Sequence, residues 1–93
     1  MKHKNVPRSD EYKKKLIKRL NIISGQINGV SKMISDDRYC YDVLVQLSSI
    51  VNSIKSLESE VLKVHLETCV TDDIKEGNTD VIDEVMDLID KIK

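Results

Sequence analysis

Three side chains in this sequence have the types and spacing of soft-metal ligands: Cys40, His65 and Cys69. His65 and Cys69 are four residues apart, so on a helix they project from one face a turn apart and can hold one ion together. Cys40 is remote from that pair. At about 1.5 Å rise per residue, one helix running from Cys40 to His65 separates them by roughly 37 Å. Two readings are open. Either Cys40 is unrelated to the pair, or a second copy of the chain lies antiparallel and brings its Cys40 beside His65 and Cys69 of the first. The second arrangement sets a two-fold axis near Asn52 and Ser53, where Ser48, Ser49, Ser53 and Ser56 are small enough for close helix approach, and it creates two identical intersubunit sites. The pair also has the composition of a nucleophile and its base. An i, i+4 stack on a helix brings no oxyanion hole or substrate cleft, so the chain is not read as an enzyme.

The elements that must carry these residues are helices. From Arg38 to about Val70 the apolar stripe Val43, Leu47, Ile50, Ile54, Leu57, Val61 and Val64 advances by alternating steps of four and three. From Asp10 a second stripe, Leu16, Leu20, Ile23, Ile27, Val30 and Ile34, predicts a first helix of about 25 residues with Ser9 as its N-cap. Gly25 and Gly29 fall inside it, each costing on the order of 1 kcal/mol relative to Ala, which points to close helix packing there. Ser35 to Asp37 form a short polar break in which Asp36 or Asp37 can cap the second helix. So short a connection makes the first two helices antiparallel neighbours. Gly77 and Asn78 read as a stop, and Thr79 as the cap of a third helix with Val81, Ile82, Val85, Met86, Leu88, Ile89 and Ile92 on one side and acids on the other. The expected fold is all-α: a flexible arm over residues 1–9, then a single three-helix domain over residues 10–93.

The composition agrees. The 93 residues include no Phe, no Trp, one Pro and three Gly. A domain of this size buries a modest share of its surface and often gains by oligomerising. The shortage of aromatics argues against a stacking platform for single-stranded nucleic acid. Net charge is −1, yet nine basic and two acidic side chains lie in the chain through Lys32, against three basic and eight acidic from Thr71 onward. Such asymmetry points to an anionic partner for the first third, with nucleic acid first among candidates; the bland reading of Lys13 to Lys15 is a solvated helix face. No apolar run approaches the roughly 18 residues that cross a membrane, and no apolar signal-peptide core opens the chain, so a cytoplasmic protein is expected. There, cysteines serve as thiols, ligands or redox sensors more often than as structural disulfides.

The run Asp37-Arg38-Tyr39-Cys40, then Asp42-Val43-Leu44-Val45-Gln46-Leu47-Ser48, then His65 and Cys69-Val70, closely resembles the copper-sensitive operon repressor family of bacteria, with similarity from about Tyr12 to Ile89. The family also includes nickel/cobalt, persulfide and formaldehyde sensors. The resemblance implies an antiparallel homodimer, usually assembled into a homotetramer, that binds double-stranded operator DNA as apo-protein and releases it on binding inducer. It places Cys40, His65 and Cys69 on the copper-sensor ligand positions. The donor set fits independently, because two thiolates and an imidazole in a three-coordinate site suit Cu(I), whereas Zn(II) normally takes a fourth ligand. Nickel/cobalt sensors carry a histidine where this chain has Cys69, and persulfide sensors lack the histidine matched by His65.

The resemblance also implies that Tyr39 and Glu84 link the metal-bound histidine to the rest of the subunit, fixing its tautomer and coupling ligation to helix movement. Matching Glu84 takes a one-residue shift after Gly77. His3 occupies the N-terminal arm, where nickel/cobalt members hold a supplementary ligand. For DNA, the family's Arg-Leu-x-Arg-Ile-x-Gly-Gln corresponds to Arg19-Leu20-Asn21-Ile22-Ile23-Ser24-Gly25-Gln26. Arg19, Gly25 and Gln26 are kept, while Ile22, Asn28 and Asn52 stand where members often carry cations. Each lost cation removes a possible phosphate contact, for which Lys14, Lys15 and Lys18 can compensate. The expected function is a Cu(I)-responsive repressor. The alternatives are a copper-binding or buffering homo-oligomer that has lost DNA, and a persulfide or electrophile sensor acting through Cys40 and Cys69.

Overall fold

A computed structural model describes residues 8–92. The expected arm, including His3, lies outside the described residues except for Arg8 and Ser9. Helix α1 spans Asp10–Ser35, α2 Cys40–His65, α3 Thr71–Lys75 and α4 Val81–Ile92, with a π-helical turn over Leu66–Val70 between α2 and α3. The backbone stays right-handed helical through His65, Val70 and Thr71, so α2, the π turn and α3 together form the long second helix of the expected three. The fold is all-α, with no strand among the described residues.

The chain divides into two compact units, Arg8–Glu60 and a second that takes up the chain from Val61. In the first, α1 and the front of α2 are antiparallel: Lys15 bonds to Glu60 and Arg19 to Ser56, so a step of four forward on α1 is a step of four back on α2. The seam is a pair of heptad rows. Ile23, Val30, Ile50 and Leu57 are buried in it, with Leu16 and Val43 packed against its ends. Each predicted stripe contains two such rows, and only one is covered. Leu20, Ile27 and Ile34 on α1, and Leu47 and Ile54 on α2, all remain exposed. One neighbouring helix can cover only one edge of a stripe at least 100° wide; the other edge awaits a further layer.

The helix ends correct several sequence expectations. Ser9 does cap α1, its hydroxyl accepting from the Tyr12 N–H at 3.2 Å. Neither Asp36 nor Asp37 caps α2, which begins at Cys40 with the Tyr39 carbonyl accepting the Val43 N–H. They instead close α1. Asp37 N–H bonds to the Ile34 carbonyl and Arg38 N–H to the Met33 carbonyl, and Asp37 takes the left-handed conformation, φ 54°, that this closure demands. Gly77 ends α3 in the same way, at φ 85°, with Asn78 N–H on the Asp73 carbonyl. Thr79 lies in the following turn, two residues before α4 starts at Val81. Gly25 and Gly29 face open space and make no close helix contact among the described residues; they lie off the α1–α2 seam.

In the second unit Val70 and Val81 are buried. Along α4, Val85, Leu88 and Ile92 continue the row of Val81 half-buried, while Ile82, Met86 and Ile89 form an exposed row beside it.

Candidate metal centre and nucleic-acid interface

Cys40 is the first residue of α2, exposed, with a free thiol. His65 is the last residue of the same unbroken helix and is half-buried. Cys69, also free and half-buried, is the fourth residue of the π turn. His65 and Cys69 therefore stand a turn apart, as their spacing predicted. Among the described residues no three His, Cys, Asp or Glu side chains gather to hold a metal. The donor set fits a soft ion: two free thiols and an imidazole, all accessible, with two of the three already on adjacent turns.

The π turn is held by two threonine hydroxyls that the sequence reading did not single out. A π turn carries one residue more than an α turn and disturbs the regular ladder of carbonyl partners. Thr71 serves both sides of that disturbance, its N–H bonding to the Thr68 carbonyl and its hydroxyl reaching back to the Leu66 carbonyl at 2.7 Å. The Thr68 hydroxyl bonds to the Val64 carbonyl at 2.7 Å and lies 3.6 Å from Cys69 Sγ. Both threonines thereby fix the backbone that carries Cys69. Their sequence signal is faint, since Thr in a helix is common and only the i−4 and i−5 acceptors reveal the role.

Tyr39 is exposed in the link before α2, and Glu84 is half-buried in the first turn of α4.

The cations expected to meet DNA separate into two rows on α1. Lys14 and Lys18 are exposed, a turn apart. Lys15 and Arg19 occupy a different row, facing α2. Lys15 Nζ lies 2.8 Å from Glu60 Oε1, Arg19 Nη1 pairs with Glu60 Oε2, and Arg19 Nη2 donates to Ser56 Oγ at 3.1 Å. The Lys15 hydrogen bond, with the charges of Lys15 and Arg19 behind it, holds the Glu60 carboxyl below its ordinary pKa; desolvation opposes this, by less than the Lys15 hydrogen bond but by more than either charge alone. Gln26 is exposed further along α1. Arg19 and Ile22 line an open groove with Val45, Ser48, Asn52 and Ser56. Ser48, Ser49, Ser53 and Ser56, expected at a helix–helix approach, thus stand beside Arg19, on the flank of α2 away from Cys40 and His65. Sequence reading missed Glu60, because its partners are set by the interhelical register.

Comparison with known proteins agrees with this architecture. The family model described as metal-sensitive transcriptional repressor matches residues 12–91. The copper-sensing transcriptional repressor CsoR of Bacillus subtilis (strain 168) is 36% identical over 85 residues, covering 90% of this chain and 84% of that protein. The crystal structure of the copper-sensing repressor CsoR with Cu(I) from Geobacillus thermodenitrificans NG80-2 is similar at a TM-score of 0.90 and 39% identity, over 94% of this chain and 92% of that one. The nickel-responsive transcriptional regulator InrS is similar at a TM-score of 0.75 and 28% identity, over 98% of this chain and 100% of that one. These relatives are regulators, in keeping with the expectation that the chain is not an enzyme. With one family model spanning nearly the whole helical chain, and relatives alike in both sequence and fold, this protein belongs to the metal-sensitive transcriptional repressor family.

Proposed function

We propose that this family member is a cytoplasmic Cu(I)-responsive repressor, which binds operator DNA as apo-protein and releases it when Cu(I) is held by Cys40 of one subunit and His65 and Cys69 of another. The observation that carries this reading is the unbroken helix α2, with Cys40 at its first residue and His65 at its last. Steps of four and three from Cys40 pass through Leu44, Leu47, Val51, Ile54, Glu58 and Val61 to His65, so all share one face. On that face Leu44, Leu47, Val51 and Ile54 are 61%, 41%, 48% and 44% exposed. An antiparallel second copy of α2 on this row covers the apolar side chains and sets each Cys40 against the other chain's His65. The two-fold axis then falls between Val51 and Ile54. The family's dimer of dimers would build on this pair.

Cu(I), when bound, supplies strong bonds to two thiolates and one imidazole. The chain's own residues do the rest. Cys40 and the His65–Cys69 pair tie the ends of two α2 helices together, and Tyr39 and Glu84 orient the free imidazole nitrogen of His65. The coupling is reciprocal: Cu(I) lowers affinity for DNA by the factor with which DNA lowers affinity for Cu(I). The place of action is the cytoplasm, where operator DNA lies and thiols stay reduced; no described helix is long and apolar enough to cross a membrane.

Fluorescence anisotropy with a duplex from upstream of the protein's own gene tests the reading. Apo-protein should bind, and Cu(I) should release it. Cys40→Ala and Cys69→Ala should each abolish three-coordinate Cu(I) by X-ray absorption, while a freely exchanged equal mixture of the two should regain about a quarter of the sites, since about half the dimers are then mixed and each mixed dimer restores one of its two ligand sets. No regain would place the site within one chain and overturn the arrangement. A second reading, a copper-binding homo-oligomer without DNA, is favoured by the engagement of Lys15 and Arg19 with Glu60 and by Ile22 in place of a cation. Absence of duplex binding by the apo form, with Cu(I) binding intact, would select it.

A further inference from the structure

Two of the cations expected to meet phosphate are already occupied by one carboxylate. Glu60 gives one oxygen to Lys15, at 2.8 Å, and the other to Arg19, while the second arm of the Arg19 fork is taken by Ser56 Oγ at 3.1 Å. A carboxylate that accepts from a lysine and an arginine together makes the charge-assisted contacts a phosphate would make. This cluster differs from the pairs Lys63–Glu67 and Lys91–Asp87. Arg19 and Glu60 are 29% and 26% exposed, with Lys15 at 60% on the rim, whereas Lys63 and Glu67 are 76% and 60% exposed. It also joins two helices, where Lys63–Glu67 and Lys91–Asp87 each lie along one. Partial burial weakens screening by water and salt, so this carboxylate holds Arg19 more firmly than a surface pair does, with Lys15 bonded to its other oxygen.

We propose, building on the operator-binding reading above, that Glu60 is a built-in competitor for nucleic-acid phosphate: it holds Lys15 and Arg19 in the free protein and must yield them before they can reach a DNA backbone. Of the four α1 cations expected to meet DNA, Lys14 and Lys18 are then immediately available, and Lys15 and Arg19 join only by displacing the carboxylate. Glu60 thus sets a ceiling on affinity. Handing over the two cations also cuts the ties that Lys15 and Arg19 make between α1 and α2, and leaves the packing of Leu16 against the Ile23–Val30–Ile50–Leu57 cluster in place.

The test uses full-length Glu60→Gln, with Glu76→Gln as control. Glu76 is an exposed carboxylate at the end of α3, off the row assigned to the second copy, so both variants change net charge by the same amount. Anisotropy with the upstream duplex, measured across about 50 to 300 mM KCl, gives affinity and salt slope. Glu60→Gln should bind about 3- to 10-fold tighter at low salt, with a slope steeper by about 1 to 2, since each added phosphate contact contributes about 0.9. Glu76→Gln should show no change in slope. If the two variants behave alike while wild type binds, the proposal falls and the operator reading stands. If wild type and both variants leave the duplex free, the operator reading falls, and the salt at which each elutes from immobilised heparin decides the role of Glu60: later elution of Glu60→Gln than Glu76→Gln supports it, and co-elution overturns it.

Discussion

Ile54→Asp is expected to take the proposed assembly apart, and the size of the effect follows from the exposed row on α2. Full burial of a Val, Leu or Ile side chain yields about 1.5–3 kcal/mol. Leu44, Leu47, Val51 and Ile54 are each roughly half covered already, so a second copy of the helix adds about 1 kcal/mol apiece. Two antiparallel copies present eight such side chains, or about 8 kcal/mol, against an association cost on the order of 4–15 kcal/mol. The margin is narrow. Asp at position 54 removes about 1 kcal/mol in each copy and leaves a carboxylate in an apolar seam, at about 2 kcal/mol or more each, for a total of about 6 kcal/mol. At 1.4 kcal/mol per decade this weakens dimerisation about 10⁴-fold. Sedimentation equilibrium measures it directly, and chelator competition should show the loss of tight Cu(I) binding, because Cys40 then lacks the opposite chain. Ser49→Asp, on the flank of α2 beside Arg19, should leave assembly within about tenfold of wild type. An Ile54→Asp protein that sediments as wild type and keeps its Cu(I) would refute the use of this face.

Thr71→Val removes the hydroxyl on the Leu66 carbonyl and should cost about 1 kcal/mol, read as a loss of about 4–8 °C in Tm, with Thr71→Ser retaining the bond and the stability. Gly77→Ala meets no neighbouring atom but forces a Cβ into a left-handed conformation, so chemical denaturation should show a loss of about 1–2 kcal/mol. The Glu60 carboxyl, followed by NMR, should titrate below its ordinary value of 4.5 because Lys15 and Arg19 favour its charged form. The stabilisation it gives is present above that ordinary value and is lost as pH falls through the lower folded value; Glu60→Gln should remove this dependence, and a midpoint at or above 4.5 would contradict the pairing. Ile50→Ala, in the centre of the α1–α2 seam, should cost about 2–5 kcal/mol in thermal or urea unfolding.

Helix number, order and approximate extent were legible because the steps of four and three in Leu16 to Ile34 and Val43 to Val64 leave one solution for period and handedness. What those stripes do not encode is the division of labour between their two heptad rows. Leu16, Ile23 and Val30 meet Val43, Ile50 and Leu57 within the chain, while Leu20, Ile27, Leu47 and Ile54 remain open. Both rows are equally apolar as sequence. The ends were less legible for a related reason. Asp36 and Asp37 precede a helix and follow another, and an Asp tolerates both a capping role and a left-handed φ. The hydrogen bond from Arg38 to Met33 selected the second.

The candidate site divides along the same line between local and long-range information. His65 and Cys69 were readable because four residues along a helix determine where both side chains point, and the π turn keeps both on one helical stretch. Glu60 was unreadable because its meaning depends on register. It lies among several acids and lysines of α2, and only the pairing of Lys15 with residue 60 and Arg19 with residue 56 shows which carboxylate confronts the cations of α1. Cys40 is the intermediate case. Its separation from His65 along one helix was calculable from the sequence, and α2 begins at the one and ends at the other. The face it shares with Leu44, Leu47, Val51 and Ile54 supplies what distance alone lacked, a physical reason for a second chain to cover that row. Under the proposed arrangement, the exposed Cys40 at the start of α2 and the histidine at its end are joined by the same association that covers this row.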